Sequence, residues 1–306
     1  MTSPSALVEL LHFLPLHGYK FTAVTPSTHA AVLAKALAER PTLRDIFGWN
    51  RPFAEEDIEP LLLDLLRRGE AVDEAGGKFR SRVRVASIDG LLVLHSAFPT
   101  EDADAVFFGP DTYRFWRFLK KEGAGMPDVK HVVDMGTGSG AGGILAARLF
   151  ENAAITLVDV NERALTLVGA NAAAAGIEVE LLCSGEMPDG ADLVIANPPY
   201  MMDGANRTYR DGGLLHGGAV SLDWARQALD RMRPGGTLLM YTGAAFVRGE
   251  SPLVSALEAH CAEEGALLTV DEIDPDVFGE ELDQPTYADV ERIAAVSLIA
   301  RRRLYA

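Results

Sequence analysis

Cysteine is nearly absent from this chain, with Cys183 and Cys261 its only two. They form neither a disulfide framework nor the paired spacing of a zinc site, and they fit a reducing compartment, so a cytoplasmic protein is expected. Long apolar runs are missing too. None approaches the roughly 18 residues of a membrane span, and Met1 to Pro4 carry no basic stretch, so neither a membrane contact nor a secretory leader is expected. The seven histidines are scattered without a ligand pattern, and no metal is expected. Positive charge is in short supply: 28 Lys and Arg stand against 44 Asp and Glu, a net charge of −16. The deficit is uneven. Residues 1–125 hold 15 basic and 17 acidic side chains (−2) and residues 126–306 hold 13 and 27 (−14), which together give −16. The acidic C-terminal part repels phosphate backbones, which counts against a long nucleic-acid substrate unless a local basic patch intervenes.

Apolar residues make up 48% of the 306 positions and charged residues 24%, enough for one large or two moderate globular domains. The most informative stretch is Asp192 to Tyr200, D-L-V-I-A-N-P-P-Y. Leu193 to Ala196 is a short apolar run typical of a strand buried on both faces. Two prolines then end it, since neither can donate to a sheet ladder. A polar amide (Asn197), a rigid turn and an aromatic ring (Tyr200) are therefore placed at the carboxyl end of a central strand, where open α/β sheets bind ligands. The Asn197 side-chain oxygen and the Pro198 carbonyl suit the two N–H groups of a planar NH₂, and Tyr200 suits its flat face.

Two further segments fall in order ahead of it. Val132 to Met135 reads as a strand, Gly136-Thr137-Gly138-Ser139-Gly140 as a loop and Ala141 to Phe150 as a helix, so backbone N–H groups at the helix start face a ligand. Gly138 to Gly143 also satisfies the dinucleotide pattern G-x-G-x-x-G, which leaves a nicotinamide dehydrogenase open as an alternative, although that reading gives NPPY no role. Ala154 to Val158 is a second strand, ending at Asp159, whose carboxylate can accept both ribose hydroxyls of an adenosine. Asn161 is placed to cap the next helix and Gly176 to end it.

Asn197-Pro198-Pro199-Tyr200 resembles motif IV of the amino-methyltransferases that depend on S-adenosylmethionine (SAM), and Asp134-Met-Gly-Thr-Gly-Ser-Gly140 resembles motif I of class I SAM methyltransferases. Tyr209-Arg-Asp-Gly-Gly-Leu-Leu-His216-Gly-Gly is similar to the glycine-rich segment of protein-glutamine N5-methyltransferases, and Gly109-Pro110-Asp111-Thr112 to the element that touches SAM there. The resemblance covers roughly residues 106–306. It implies a Rossmann-like, doubly wound seven-stranded α/β sheet closed by an antiparallel hairpin, with SAM as the cofactor. It further implies that Thr112, Asp134, Met135, Gly136, Thr137, Gly138, Asp159, Val160, Asn161, Ser184 and Asn197 bind that cofactor. Asp134 would serve the methionine amino group, while Asn197, Pro198 and Tyr200 would hold the acceptor. The acid usual after the third strand is absent or displaced to Glu186, so Ser184 and backbone groups are expected at the adenine. A protein glutamine is the expected acceptor; an RNA base and a small metabolite are alternatives, as is a degenerate scaffold that only binds a partner.

Residues 1–105 are expected to form a smaller, mainly helical, winged-helix-like domain that positions the substrate. Its expected helices are Ala6 to Leu14, His29 to Glu39 capped by Ser27 or Thr28, and Leu61 to Arg68 with leucines 61, 62, 65 and 66 on one face. A β ribbon follows, in which Lys78, Arg80, Arg82 and Arg84 alternate and would share one face. That face reads either as an RNA or acidic-partner contact or, more simply, as a solvated strand. Met201 to Gly218 is expected to be a mobile cover with Arg207, Arg210 and His216 as substrate contacts, and Cys183 to be a small buried hydrophobe.

Overall fold

The computed structural model describes residues 4–35, 39–126, 128–204 and 207–304. The N-terminal elements are α1 (Pro4–Leu16), α2 (Pro26–Leu33), α3 (Leu43–Phe47), α4 (Pro60–Arg68), β1 (Val72–Ala75), β2 (Lys78–Ser81), β3 (Val83–Ile88) and β4 (Leu91–Ser96). The remainder alternates: α5 (Pro110–Gly123), β5 (His131–Met135), α6 (Ala141–Leu149), β6 (Ala154–Asp159), α7 (Glu162–Ala175), β7 (Glu180–Cys183), β8 (Leu193–Ala196), α8 (Ala219–Arg231), β9 (Thr237–Phe246), α9 (Pro252–Glu263), β10 (Leu267–Asp274) and β11 (Arg292–Arg301).

Seven strands make one sheet in the order β10-β11-β9-β8-β5-β6-β7. The five from β9 to β7 run parallel, and β11 lies antiparallel to both β9 and β10. Alternate residues of the central strands enter opposite layers, as period-two geometry requires. Val132, Leu157 and Ile195 face α6 and α7, whereas Val133, Val158 and Val194 face α8 and α9. The sheet is thus covered on both sides, the doubly wound arrangement expected from the strand–helix alternation. The order reverses between β5 and β8, so this is the topological switch point.

The N-terminal helices share the core on the α6/α7 side: Leu7, Leu10, Leu62 and Leu66 belong to the same buried cluster as Leu157 and Val168. One side chain stitches this part to the glycine loop. Asn171 of α7, 2% exposed, accepts from the Leu94 N–H of β4 (2.8 Å) and donates to the carbonyls of Leu94 (3.1 Å) and Ser139 (2.9 Å).

Thr25, not Ser27 or Thr28, caps α2, which ends at Leu33; residues 36–38 lie outside the described residues. Leu61 is exposed, and Leu63 takes its place in the core. Cys183 is exposed because β7 is an edge strand whose side chains mostly meet solvent. The basic ribbon is not one strand. Ser81 Oγ accepts from the Val83 N–H and donates to the Val83 carbonyl, breaking the chain at Arg82; β2 then pairs with β1, and β3 with β4. Arg84 consequently turns inward. It is 5% exposed, donates to the Ser96 carbonyl (3.0 Å) and lies 3.4 Å from His29, so it shares no face with Lys78, Arg80 and Arg82. No described helix is long and apolar enough to cross a membrane.

Candidate active site

Met135 and Ala196 are register partners, so the glycine loop after β5 and the Asn197 turn after β8 leave the sheet side by side. Gly136, Gly138 and Gly140 have φ of 66°, 54° and 79°, left-handed values that L side chains rarely adopt. Gly136 also lies against Trp224 of α8, where a Cβ would fall 2.1 Å from the indole. At Gly138 a Cβ would meet nothing nearer than the Gly136 carbonyl at 4.0 Å, so this glycine opens onto free space.

That space is a cavity of about 360 Å³. Each of Thr112, Asp134, Met135, Gly136, Thr137, Gly138, Asp159, Val160, Asn161, Ser184 and Asn197 lines it, and Pro199 lines it as well. Asp134 is 2% exposed and its Oδ2 accepts from Thr137 Oγ1 (2.7 Å) and the Gly143 N–H (2.8 Å). Burial pushes its carboxyl up to about 7, against the pull of those two hydrogen bonds. Asp159 Oδ2 accepts from the Gly138 N–H (2.8 Å) and Oδ1 from the Asn161 N–H (2.9 Å), which ties the glycine loop to β6. Each of these oxygens keeps a second lone pair for a ligand hydroxyl. Burial raises this carboxyl too. Asn161 caps α7, its Oδ1 accepting from the Arg163 and Ala164 N–H groups. Ser184 Oγ is engaged with the backbone of Glu186.

On the other side of the cavity, Asn197 is half-buried, and its side-chain amide makes no hydrogen bond among the described residues. Pro198 is buried outside the lining, and Tyr200 also lies outside it. The Tyr200 hydroxyl donates to Asp111 Oδ2 (2.6 Å), while Tyr241 donates to Asp111 Oδ1 (2.8 Å) and Arg114 pairs with the same carboxylate at 3.0 Å. Burial, and then the Asp111 charge, hold the Tyr200 phenol well above its ordinary range, so it stays a donor. Its ring covers Gly243, where a Cβ would sit 2.2 Å from the ring edge.

The segment after the motif is clamped onto it. Met201 pairs with Asp211 in a short parallel bridge, with hydrogen bonds Met201 N to Arg210 O (3.0 Å) and Gly212 N to Met201 O (2.7 Å). Tyr209 stacks on Phe107 (centroids 5.7 Å apart, planes at 2°) and donates to the Thr100 carbonyl (2.8 Å), so two segments meet over the cavity. Arg207, Arg210 and His216, expected as substrate contacts, are paired internally with Asp203 (2.6 Å), Glu281 and Asp289 (3.0 Å) respectively. Asn171 and Trp224 carry no local signal in the sequence, and Asp111 and Tyr209, although inside the Gly109–Thr112 and Tyr209–Gly218 segments, have partners distant along the chain.

Three carboxylates, Asp134, Asp159 and Asp211, line the cavity, and no Lys, Arg or His does among the described residues. Such a wall repels a pyrophosphate and suits a cationic ligand with a diol, which is the chemistry of SAM. Residues 117–245 match the family model described as the methyltransferase small domain. The matched segment, 129 of the 306 residues, holds the glycine loop, Asp159 and the Asn197 turn. The chain is 35% identical over 156 residues to a release factor glutamine methyltransferase of Gloeobacter violaceus, a match covering 45% of this chain and 53% of that protein. It is 26% identical over 270 residues to the protein of the same description from Deinococcus radiodurans, covering 83% and 91%. It is also 34% identical over 110 residues to a ribosomal RNA large subunit methyltransferase G of a Shewanella species, covering 29% of each. The chain spans only about half the length of the first of these relatives. Among solved structures, the T. thermophilus 16S rRNA N2 G1207 methyltransferase in complex with AdoMet and guanosine is similar over 82% of this chain and 64% of its own, at 16% identity and a TM-score of 0.46.

The lining fits SAM, which, when bound, would supply an electrophilic methyl on a sulfonium. An ammonium needs the ionised carboxylate, so SAM should bind more tightly as pH rises through about 7, releasing a proton below that value. Calorimetry in two buffers of different ionisation enthalpy reads the proton directly, and Asp134→Asn should remove the pH dependence.

Proposed function

We propose that this protein transfers a methyl group from SAM to the side-chain amide nitrogen of a glutamine in a protein. The unpartnered Asn197 amide carries this reading: it stands at the cavity wall one strand away from the glycine loop, with the rigid Pro198 carbonyl beside it. An amide nitrogen is a poor nucleophile, because its lone pair is delocalised. Two acceptors on its N–H groups orient the nitrogen and favour charge building there. Asn197 Oδ1 and the Pro198 carbonyl are those acceptors, and Tyr200, fixed by Asp111, walls the acceptor side. On the cofactor side, Asp159 takes the ribose hydroxyls and Asp134 the ammonium. Gly136 to Gly138 offer backbone N–H groups, flanked by Met135 and Thr137. Thr112, Val160, Asn161 and Ser184 complete the enclosure. SAM held there would supply the methyl group that the oriented nitrogen takes.

The release factor glutamine methyltransferases among its relatives support a protein acceptor, and so does the −14 charge of residues 126–306. Arg84, the innermost cation of the basic ribbon, is buried and unavailable to an RNA. We read residues 1–105 as the part that positions the acceptor protein in the cytoplasm. The test is incubation with tritiated SAM and separate protein and RNA pools of the host cell, followed by peptide mapping. N5-methylglutamine in a protein is the expected product; label confined to RNA would overturn the reading.

A further inference from the structure

Two of the three cavity carboxylates have cofactor roles in the reading above, and the third does not. Asp211 lines the cavity together with Asn197 and Pro199, on the acceptor side. Its place is fixed by the backbone: the Met201–Asp211 bridge sets it next to the Asn197-Pro198-Pro199-Tyr200 turn. The following residue is a glycine because nothing larger fits. A Cβ on Gly212 would lie 1.9 Å from the Gly217 carbonyl and 2.7 Å from the Pro199 carbonyl. Asp211 is half-buried, and its Oδ1 accepts from the Gly213 N–H (3.1 Å) and, more weakly, from the Asp203 N–H (3.4 Å). Its Oδ2 accepts no hydrogen bond among the described residues.

The neighbouring cations do not neutralise it. Arg207 is held by Asp203 and Arg210 by Asp203 and Glu281, and Asp211 forms no ion pair among the described residues. A carboxylate kept free of its two adjacent arginines, on a segment locked to the acceptor turn, is arranged for something that arrives from outside.

We propose that Asp211 is a catalytic residue that takes the acceptor's proton. As the nitrogen–carbon bond forms and the carbon–sulfur bond breaks, the electron pair of that bond stays on sulfur and positive charge passes to the nitrogen. One of the two N–H protons then leaves its acceptor oxygen for Asp211 Oδ2 and passes on to water, which leaves a neutral methylated nitrogen and a neutral thioether. The inference rests on the acceptor lying at Asn197, as proposed above, but not on that acceptor being a glutamine.

The test uses the full chain, tritiated SAM, and the same protein and RNA pools. Asp211→Asn keeps an oxygen for the Gly213 and Asp203 N–H groups and loses only the basic oxygen. It should label whichever pool the wild type labels at less than about a tenth of the wild-type rate. Calorimetry should show S-adenosylhomocysteine binding within about twofold of wild type, and Asp211→Glu, which restores a carboxylate, should recover part of the rate. A wild-type rate in Asp211→Asn overturns the assignment, and so does a lost rate accompanied by lost S-adenosylhomocysteine binding. Label in RNA would remove the glutamine reading, while the same ratio of rates would still decide the role of Asp211.

Discussion

Asn197→Ala should lower kcat by about 10²–10³-fold while leaving SAM affinity within a few fold, the size of effect seen when one preorganised hydrogen-bonding group is removed from around developing charge. The expectation follows from what Asn197 does and does not touch. Its side chain makes no hydrogen bond within the described protein, so its loss should leave the fold intact. It sits at the end of a strand that pairs on both sides, β5 and β9, so the backbone that carries it stays where it is. The cofactor side retains Asp134, Asp159 and the three left-handed glycines. Turnover and binding should therefore separate, with single-turnover rates measured at saturating SAM and affinity measured by calorimetry. An unchanged rate would remove Asn197 from the reaction.

Gly217→Ala should produce a comparable loss by a different route. Gly217 has φ of 90° and faces the motif so closely that a Cβ would lie 2.2 Å from the Tyr200 carbonyl oxygen. The neighbour is backbone and cannot swing aside, and the left-handed conformation adds its own cost of about 1–3 kcal/mol. Either the loop lifts or the Tyr200 turn shifts, and both displace Pro198 and Asp211 relative to the cofactor. An ångström of misplacement at a reacting centre is enough for roughly a 10²-fold loss. Binding of S-adenosylhomocysteine should change little, because the glycine loop and Asp159 are held by β5 and β6. Gly204→Ala is the control: a Cβ there meets nothing within 4 Å, and turnover should be unaffected. A fully active Gly217→Ala would mean that the segment is not clamped on the motif when the enzyme works.

The cofactor half of the site was legible in the sequence because its chemistry is local. A buried strand, a run of alternating glycines and a helix follow one another within twenty residues, and each glycine has a backbone reason to be there. The same holds for Asp159 and Asn161, which end one element and begin the next. The acceptor half was legible only in part. Asn197 and the prolines announce a rigid polar turn, but the fate of the Tyr200 hydroxyl depends on Asp111, 89 positions away. The basic ribbon misled for the same reason. Alternation from Lys78 to Arg84 is the pattern of one strand face, yet a single serine, Ser81, diverts the chain and sends Arg84 into the interior. Arg207, Arg210 and His216 look like free cations in the sequence; their carboxylates come from segments that only the fold brings near, except for Asp203.

The claim on which the rest depends is that one cavity holds SAM between the glycine loop and the Asn197 turn, and a crystal structure with S-adenosylhomocysteine tests it most directly. The ribose should lie on Asp159, the amino group beside Asp134, and the sulfur should face Asn197. Finding the nucleoside instead in the open groove between α1 and α7, lined by Leu7, Arg82 and Arg163, would contradict it.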